Sequence, residues 1–217
     1  MRRDFLPSII AIVVMTVAFG VIYPLATTGV AQVLFPGKAD GSQIERNGKV
    51  IGSRLIGQDF EKSVLDKNGK PKKDADGNPV LAPDPRYFQS RPSTATSYNA
   101  SASAFTNLGP NSKSARDTFK SNLDGYLALE RRYDPGLTAA KVPVDAVTSS
   151  ASGVDPQISP DNAALQAHRI AAVRNLPLAQ VQELISDNTD GRSLGVFGEP
   201  GVNVLELNLA LDSLPSR

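Results

Sequence analysis

The chain has 217 residues, with 23 Lys and Arg against 22 Asp and Glu, so its formal net charge is +1 at pH 7. This balance excludes the basic surface that is typical of nucleic-acid-binding proteins, and we expect no nucleic-acid partner. Cysteine is absent, which excludes disulfides, zinc–thiolate sites and cysteine nucleophiles. A single histidine, His168, leaves little room for a histidine metal site or a Ser-His-Asp triad. We therefore predict no catalytic residues and no metal site.

The apolar residues are concentrated near the N-terminus, where no charged residue occurs between Asp4 and Lys38. Twenty helical residues, such as the almost uninterrupted apolar run 7–26, span about 30 Å, the thickness of the hydrocarbon core of a bilayer. We therefore predict a transmembrane helix over residues 7–30. A cleavable signal peptide is the alternative, but this apolar region is longer than signal peptides usually have, which favours a retained anchor.

The basic residues Arg2 and Arg3 precede this helix. Positive charge beside a first transmembrane segment holds that end of the chain in the cytoplasm. We therefore expect residues 1–6 in the cytoplasm and residues 38–217 outside it, as one mixed α/β domain of the α+β class.

Three residues of the predicted transmembrane helix are candidates for packing against a partner helix. Thr16 and Gly20 are small and lie four residues apart, a spacing that allows two helices to approach closely, although such a pair also occurs by chance. Pro24 lacks the N–H that would bond to the carbonyl of Gly20, so we expect a bend or a compensating group there.

The region after the anchor begins with hairpin and loop signals. Asn47-Gly48 suits the two positive φ angles of a type I′ turn and predicts a hairpin over residues 44–51. Residues 66–83 are rich in Lys, Asp, Gly and Pro, and we interpret them as a surface insertion, either a solvated loop or an exposed hairpin. Their acidic residues do not follow the calcium-binding pattern of an EF-hand. We detect no internal repeat.

Two helix starts are predicted from capping residues, Ser112 for one helix and Ser159 for another, and a shorter helix should follow and end at residues 187–188. Residues 143–147 and the alternating leucines of residues 205–211 predict two strands. The predicted buried positions of the helices are Ala115, Phe119, Leu123, Tyr126, Ala163, Ala167, Ile170, Val173, Val181, Leu184 and Ile185.

Two polar loops, residues 91–111 and 148–158, carry the remaining candidate residues. Tyr98, Asn99, Asn107 and Asp155 could either contact a partner or order the loops through their own hydrogen bonds, and both interpretations stay open. The triplet at residues 186–188 matches the Ser-Asp-Asn string of penicillin-recognising enzymes, but the accompanying Ser-x-x-Lys and Lys-Thr-Gly strings are absent.

Four longer motifs then show a family resemblance. The strings GSRLIGQDF, YFQSRPSTATSYNASASAFTNLGPNS, PVDAVTSSASGVDPQISPDNAALQAHRIAAVR and DGRSLGVFGEPGVNVLELNLALD follow one N-terminal apolar helix. In this order, they resemble the C subunit of the bacterial Kdp potassium-transporting ATPase.

The resemblance implies a non-catalytic accessory subunit in the bacterial inner membrane, with its C-terminal domain in the periplasm. The implied partners are the lipid bilayer, a potassium-channel-like subunit, a P-type ATPase subunit and a small fourth subunit. The family's C subunit is described as a catalytic chaperone that raises the ATP affinity of the ATPase subunit, so ATP contact is implied by resemblance alone and no cofactor should be bound firmly. The alternative is a free-standing, membrane-anchored periplasmic binding protein or hydrolase.

Overall fold

The computed structural model describes residues 2–93, 98–104 and 106–214. The chain forms two compact units, Met1–Ser53 and Arg54–Arg217. The first unit contains the apolar helix and one hairpin, and the second contains four of the helices and two small sheets. This mixture of helix and sheet after one apolar N-terminal helix agrees with the predicted α+β class.

The N-terminal helix consists of α1 (Arg2–Val17), a π turn (Ala18–Ile22) and α2 (Tyr23–Leu34). Its apolar stretch Asp4–Leu34 has 31 residues, and an 18-residue part of it has a mean hydropathy of 2.6 and is not buried. By length and composition, this helix can cross a membrane.

The π turn lies immediately before Pro24. In it, the N–H of Tyr23 donates to the carbonyl of Ala18, five residues earlier. One turn later, the hydroxyl of Thr27 donates to the carbonyl of Tyr23 at 2.8 Å. The irregularity expected around Pro24 therefore takes the form of a wider helical turn, which is a common way to accommodate a proline inside a membrane helix.

A short helix, α3 (Pro36–Ala39), leads to the predicted hairpin. Strands β1 (Gln43–Arg46) and β2 (Lys49–Ser53) pair in an antiparallel manner. The two residues between them, Asn47 and Gly48, have φ angles of 54° and 73°. Positive φ at both positions is what a type I′ turn requires, so this prediction is confirmed.

The second unit begins with an exposed hairpin. Strand β3 (Glu61–Ser63) pairs with β4 (Leu81–Pro83), and the intervening residues form two successive turns. A carboxylate oxygen of Asp66, and likewise one of Asp74, accepts the backbone N–H groups two and four residues further on. The exposed-hairpin interpretation of residues 66–83 is therefore confirmed, and its two equivalent turns are a short internal repeat that sequence analysis missed.

The remaining elements surround the core of the second unit. A three-stranded antiparallel sheet has the order β5-β7-β6, and a helix follows each of β5 and β7 directly. The elements are α4 (Lys113–Glu130), β5 (Gln157–Ile158), α5 (Pro160–Arg174), α6 (Leu178–Asp187), β6 (Thr189–Asp190), β7 (Gly201–Asn203) and α7 (Val204–Ser213).

Both predicted helix caps are confirmed. The side chain of Ser112 accepts the N–H of Ala115 at 3.3 Å, and the side chain of Ser159 accepts the N–H of Asn162 at 3.1 Å. The predicted buried face of α4 is wrong at Phe119, which is 44% exposed. The buried residues of this helix are Ala115, Leu127 and Glu130.

The predicted C-terminal strand is wrong, because residues 205–211 lie within helix α7. Asn203 caps this helix by accepting the N–H of Glu206 at 3.1 Å. The buried positions recur at the three- and four-residue spacing of a helix rather than at every second residue. They include Val204, Leu207, Asn208 and Leu211.

The strand predicted at residues 143–147 is also wrong, because a 3₁₀ turn (Val144–Ala146) occupies this position. The carboxylate of Asp145 accepts the N–H and the hydroxyl of Ser159, each at 2.8 Å. These contacts hold the segment against the start of α5, where an acidic group is favourable. The apolar side chain of Val144, by contrast, is exposed.

The core is formed by α5, α6, α7, the three-stranded sheet and one residue from an irregular segment. That residue is Phe88, which is fully buried. The other buried members of the cluster are Ile158, Ala163, Ala167, Ile170, Ala171, Val181, Ile185, Val202, Val204, Leu207 and Leu211.

Candidate functional site

Residues 85–89 have no regular secondary structure, yet Phe88 among them is fully buried in the core, and we call these five residues the stapled segment. The side-chain amide of Asn208 accepts the N–H of Phe88 at 2.9 Å and donates to its carbonyl at 3.0 Å. Gln166 makes the same pair of bonds with the backbone of Gln89, at 2.7 and 3.1 Å. Two side-chain amides thus provide the hydrogen bonds that a neighbouring strand would otherwise supply.

Arg169 holds the other end of the stapled segment. Its side chain is completely buried, and one terminal nitrogen donates to the carbonyls of Pro85 and Tyr87 at 2.6 and 2.8 Å. Its other terminal nitrogen donates to Gln166 at 2.9 Å, and its Nε donates to Glu130 at 2.9 Å. One guanidinium therefore links α4, α5 and the stapled segment.

The partner carboxylate belongs to Glu130, which is also almost completely buried. Burial raises the pKa of Glu130, and the adjacent Arg169 only partly opposes this, so the pKa lies above its usual range. Within the described part of the chain, Oε2 of Glu130 has no hydrogen-bond partner. An unmatched buried oxygen makes the ion pair sensitive to any loss of its cation.

The polar network continues toward the start of α5. The hydroxyl of Tyr126 donates to Oδ1 of Asn162 at 3.0 Å, and the amide of Asn162 donates to Asp145 at 3.0 Å. Burial raises the pKa of Tyr126, so this group stays a hydrogen-bond donor. Sequence analysis missed the network, although Asn162, Gln166 and Arg169 follow helical spacing on α5.

The two polar loops are joined by Arg91, another residue that sequence analysis missed. Its guanidinium lies 3.3 Å from the carboxylate of Asp155 and donates to the carbonyl of Ser149 at 3.2 Å. A second link is the hydroxyl of Ser93, which donates to the carbonyl of Gly153 at 2.6 Å. The described parts of the two loops are therefore linked to each other by hydrogen bonds.

Two of the four candidate loop residues meet at Gly57. Tyr98 is 7% exposed and has a φ of 51°, and its hydroxyl donates to the carbonyl of Arg91. A Cβ atom at Gly57 would lie 2.5 Å from the ring of Tyr98 and 2.6 Å from the carbonyl oxygen of Asp155. Burial raises the pKa of Tyr98, which keeps its hydroxyl protonated. In this structure, Tyr98 and Asp155 thus both lie against Gly57, and a role in ordering the loops stays a prediction.

The other two candidates lie at the surface. Asn99 accepts the N–H of Ser101 at 2.9 Å and so caps a 3₁₀ turn (Ala100–Ala102), but it is exposed. Asn107 is also exposed. The structure therefore does not place the four residues in one common buried cluster, and a role in contacting a partner stays a prediction for all of them.

An open groove of about 600 Å³ lies between the first polar loop, β3 and α4. Burial, together with the nearby Glu61, raises the pKa of Asp59 at its edge to about 6. Among the described residues, no three His, Asp or Glu side chains are placed to hold a metal ion. The other residues lining the groove are mainly polar and include Arg91, Asn122 and Tyr126. This lining offers hydrogen bonds and charge.

The candidate packing residues of the membrane helix lie on an open surface of the first unit. Thr16 and Gly20 are in α1 and the π turn, and Pro24 is in α2. A Cβ atom at Gly20 would meet only the methyl group of Thr16, at 3.9 Å. This face leaves room for the close approach of another helix, which stays a prediction.

The structure thus combines a helix that is long and apolar enough to cross a membrane with a mixed helix-and-sheet unit that contains a buried polar network. Comparison with known proteins identifies the family. The family model KdpC, "K+-transporting ATPase, c chain", matches residues 5–213. The chain belongs to this family, as the resemblance indicated.

Curated relatives support this assignment over the full length. The Potassium-transporting ATPase KdpC subunit of Bradyrhizobium diazoefficiens is 47% identical over 217 residues, covering 100% of both chains. That of Methylococcus capsulatus is 45% identical over 216 residues, covering 99% of this chain and 100% of the relative. That of Mycobacterium tuberculosis is 44% identical with the same coverage. The chain is thus an accessory subunit of a potassium-transporting ATPase complex and not its catalytic chain.

Proposed function

We propose that this chain anchors itself in the bacterial inner membrane and stabilises the assembled potassium-uptake complex. Its partners are the channel-like subunit, the P-type ATPase subunit and the small fourth subunit. The observation that carries the proposal is the family match over residues 5–213 together with an apolar helix of 31 residues. Such a helix offers both a lipid anchor and a packing surface.

The proposed orientation places residues 1–6 in the cytoplasm and residues 38–217 in the periplasm. Arg2 and Arg3 support it, since basic residues beside a first membrane segment favour the cytoplasmic side. The lack of cysteine is compatible with an oxidising compartment.

This orientation limits how the chain can influence ATP. Because ATP is cytoplasmic, a periplasmic unit cannot touch it, and no cofactor is part of the proposal. The catalytic-chaperone effect implied by the resemblance is then transmitted through the partner subunits, as a coupling free energy between two distant sites. The measurable form of this effect is a lower ATP affinity of the complex when this chain is absent.

Co-expression tests the assembly. The chain, carrying an affinity tag, is produced with the three partner subunits and purified in mild detergent. We expect all four subunits to be recovered together, and a tagged, unrelated single-pass protein serves as the control. Recovery of this chain alone would contradict the proposal and favour the alternative of a free-standing binding protein or hydrolase.

Thiol labelling tests the orientation. Because the chain contains no cysteine, Ser213→Cys at an exposed position introduces a single reactive group. A membrane-impermeant thiol reagent that reaches only the periplasm of intact cells should label it fully. A cysteine in place of Arg3 is the matched control and should react only after the inner membrane is broken. Protection of Ser213→Cys until lysis would reverse the orientation and make direct contact with ATP possible.

A further inference from the structure

The π turn leaves one backbone carbonyl of the membrane helix without a helical donor. In an α-helix, the carbonyl of Phe19 would accept the N–H of Tyr23, but Tyr23 donates to Ala18 instead. The next residue is Pro24, which has no N–H. Within the described part of the chain, the carbonyl of Phe19 therefore lacks both of the donors that lie four and five residues ahead.

The hydroxyl groups nearby do not supply the missing bond. The hydroxyl of Thr27 donates to the carbonyl of Tyr23 at 2.8 Å, and not to that of Phe19. The hydroxyl of Thr16 makes no hydrogen bond within the described residues. Because Thr16 lies three residues before Phe19, the unpaired hydroxyl and the unpaired carbonyl are neighbours on one side of the helix. We call these two groups the central membrane site.

In the proposed membrane position, neither water nor lipid can bind this carbonyl. Phe19 is the central residue of the apolar stretch Asp4–Leu34. At 1.5 Å per residue, it lies about 22 Å from either end of this stretch. The acyl chains at that depth have no donor groups, and an unpaired carbonyl among them is unfavourable. A donor from another protein segment is therefore expected.

The backbone beside this carbonyl is open to a second helix. Gly20 has no side chain, and a Cβ atom there would meet only the methyl group of Thr16, at 3.9 Å. Small residues of this kind allow a neighbouring helix to approach closely enough for hydrogen bonds between the two helices.

The two groups of the central membrane site also indicate the chemistry of the partner side chain. The carbonyl requires a donor, whereas the hydroxyl of Thr16 can donate to an acceptor. A side-chain amide supplies a donor and an acceptor on separate atoms. Lys and Arg supply donors only, and their charge is unfavourable at the centre of a bilayer.

We propose that the central membrane site binds the side-chain amide of an Asn or Gln on a membrane helix of another subunit of the potassium-transporting complex. The N–H of this amide donates to the carbonyl of Phe19, and its oxygen accepts the hydroxyl of Thr16. This inference rests on the proposed function, because it requires the helix to span the membrane and the complex to form.

Substitutions at the hydroxyl test one half of the site. Thr16→Val removes the hydroxyl and keeps the shape of the side chain, whereas Thr16→Ser keeps the hydroxyl. We expect Thr16→Val to lower recovery of the partner subunits on the tagged chain by about three- to tenfold, as for the loss of one hydrogen bond between membrane helices. Thr16→Ser should retain recovery. Thr28→Val is the matched control near the end of the helix and should leave recovery unchanged.

A substitution at the proline tests the carbonyl. Pro24→Ala restores an N–H and allows a regular α-helix, in which Tyr23 donates to Phe19 and no outside donor is needed. We expect recovery to fall by a similar factor. Pro7→Ala is the matched control, because Pro7 lies near the start of the same helix, and it should leave recovery unchanged. Unchanged recovery with either Thr16→Val or Pro24→Ala would overturn the inference but not the proposed function.

Photo-crosslinking in the assembled complex identifies the neighbouring helix. Phe19→benzoylphenylalanine keeps an aromatic side chain at a position that is 65% exposed, and on irradiation it should give an adduct with one partner subunit. Val14→benzoylphenylalanine is the control, because Val14 lies two residues before Thr16 and so on the opposite side of the helix. An adduct between two copies of this chain, no protein adduct from Phe19, or equal adducts from both positions would overturn the inference. Failure of the unsubstituted chain to recover its partners would overturn the proposed function, and the inference with it.

Discussion

Replacing Arg169 by methionine removes one buried guanidinium and the four hydrogen bonds that it donates. The carbonyls of Pro85 and Tyr87 each lose one donor, although that of Tyr87 keeps the side-chain amide of Gln89, and the carboxylate of Glu130 is left buried without its cation. Removing one partner of a buried ion pair typically costs about 3–5 kcal/mol. For a unit of this size, a loss of 1 kcal/mol lowers Tm by about 2–4 °C. We therefore expect Arg169→Met to lower Tm by about 6–20 °C.

The loss of stability caused by Arg169→Met should also depend on pH. Burial already raises the pKa of Glu130 in the natural chain, and removing Arg169 takes away the group that opposes this rise. The folded variant then binds a proton that the unfolded chain releases at the same pH, so acidification favours the folded state. The destabilisation should be complete above the raised pKa and should shrink as the pH falls through it.

The assay is thermal and urea unfolding of the full chain in detergent, followed by circular dichroism at several pH values. Arg174→Met is the matched control, because Arg174 is on the same helix and pairs with Asp212 in a partly exposed position. We expect Arg174→Met to lower Tm by less, since partly solvated ion pairs contribute less to stability. Equal decreases in Tm for the two variants, or a decrease for Arg169→Met that does not change with pH, would refute this reasoning.

Three further predictions concern the polar loops, the groove and the membrane helix. Gly57→Ala should lower the free energy of unfolding, measured with urea, by about 1–3 kcal/mol, because the added Cβ would overlap an aromatic ring and a carbonyl oxygen. Gly191→Ala is the control, because its Cβ has open space and should leave this free energy unchanged. Equal unfolding midpoints for the two variants would contradict the prediction. The natural chain should lose stability as the pH rises from about 4 to about 6, because folded Asp59 keeps its proton up to about 6, and Asp59→Asn should remove this part of the pH profile. An unchanged profile would exclude Asp59 as the source. Gly20→Leu should lower the yield of intact complex through added bulk at a close contact, and Val13→Leu should lower it less; equal yields would argue against packing on this face.

The features that sequence analysis predicted correctly depend on neighbouring residues. The caps at Ser112 and Ser159 bind an N–H three residues further on. The turn at Asn47-Gly48 requires only the local backbone preference of two residues. Local contacts of this kind can be predicted from the sequence because the partner residue is always at the same spacing.

The C-terminal helix shows how a local pattern can mislead. Leucines at every second position predict a strand, but the same segment also places apolar or small polar groups at helical spacing. The sequence contains a signal that favours the helix, since Asn203 and Glu206 have the spacing of a capping box. Giving this capping signal more weight than the alternation would have predicted α7 correctly.

The buried polar network could not have been predicted from patterns of apolar residues. Such patterns assign charged and amide side chains to the surface, whereas Gln166, Arg169 and Asn208 are almost fully buried. Each is stabilised by a partner distant in the sequence: Glu130 is 39 residues from Arg169, and Phe88 is 120 residues from Asn208. No local sequence pattern predicts that these groups will contact each other.

The same sequence separations determine when the stapled segment can form during folding. Its hydrogen bonds to Gln166 and Asn208 close loops of 77 and 120 residues. The chain loses conformational entropy when such a loop closes, and only afterwards can the hydrogen bond stabilise the structure. Helices α5 and α6 are adjacent in the chain and pack on each other, so they can assemble earlier. We therefore expect the stapled segment to be added late in folding, after the helices that supply its hydrogen bonds. Asn208→Ala should accordingly speed unfolding while leaving the rate of folding almost unchanged.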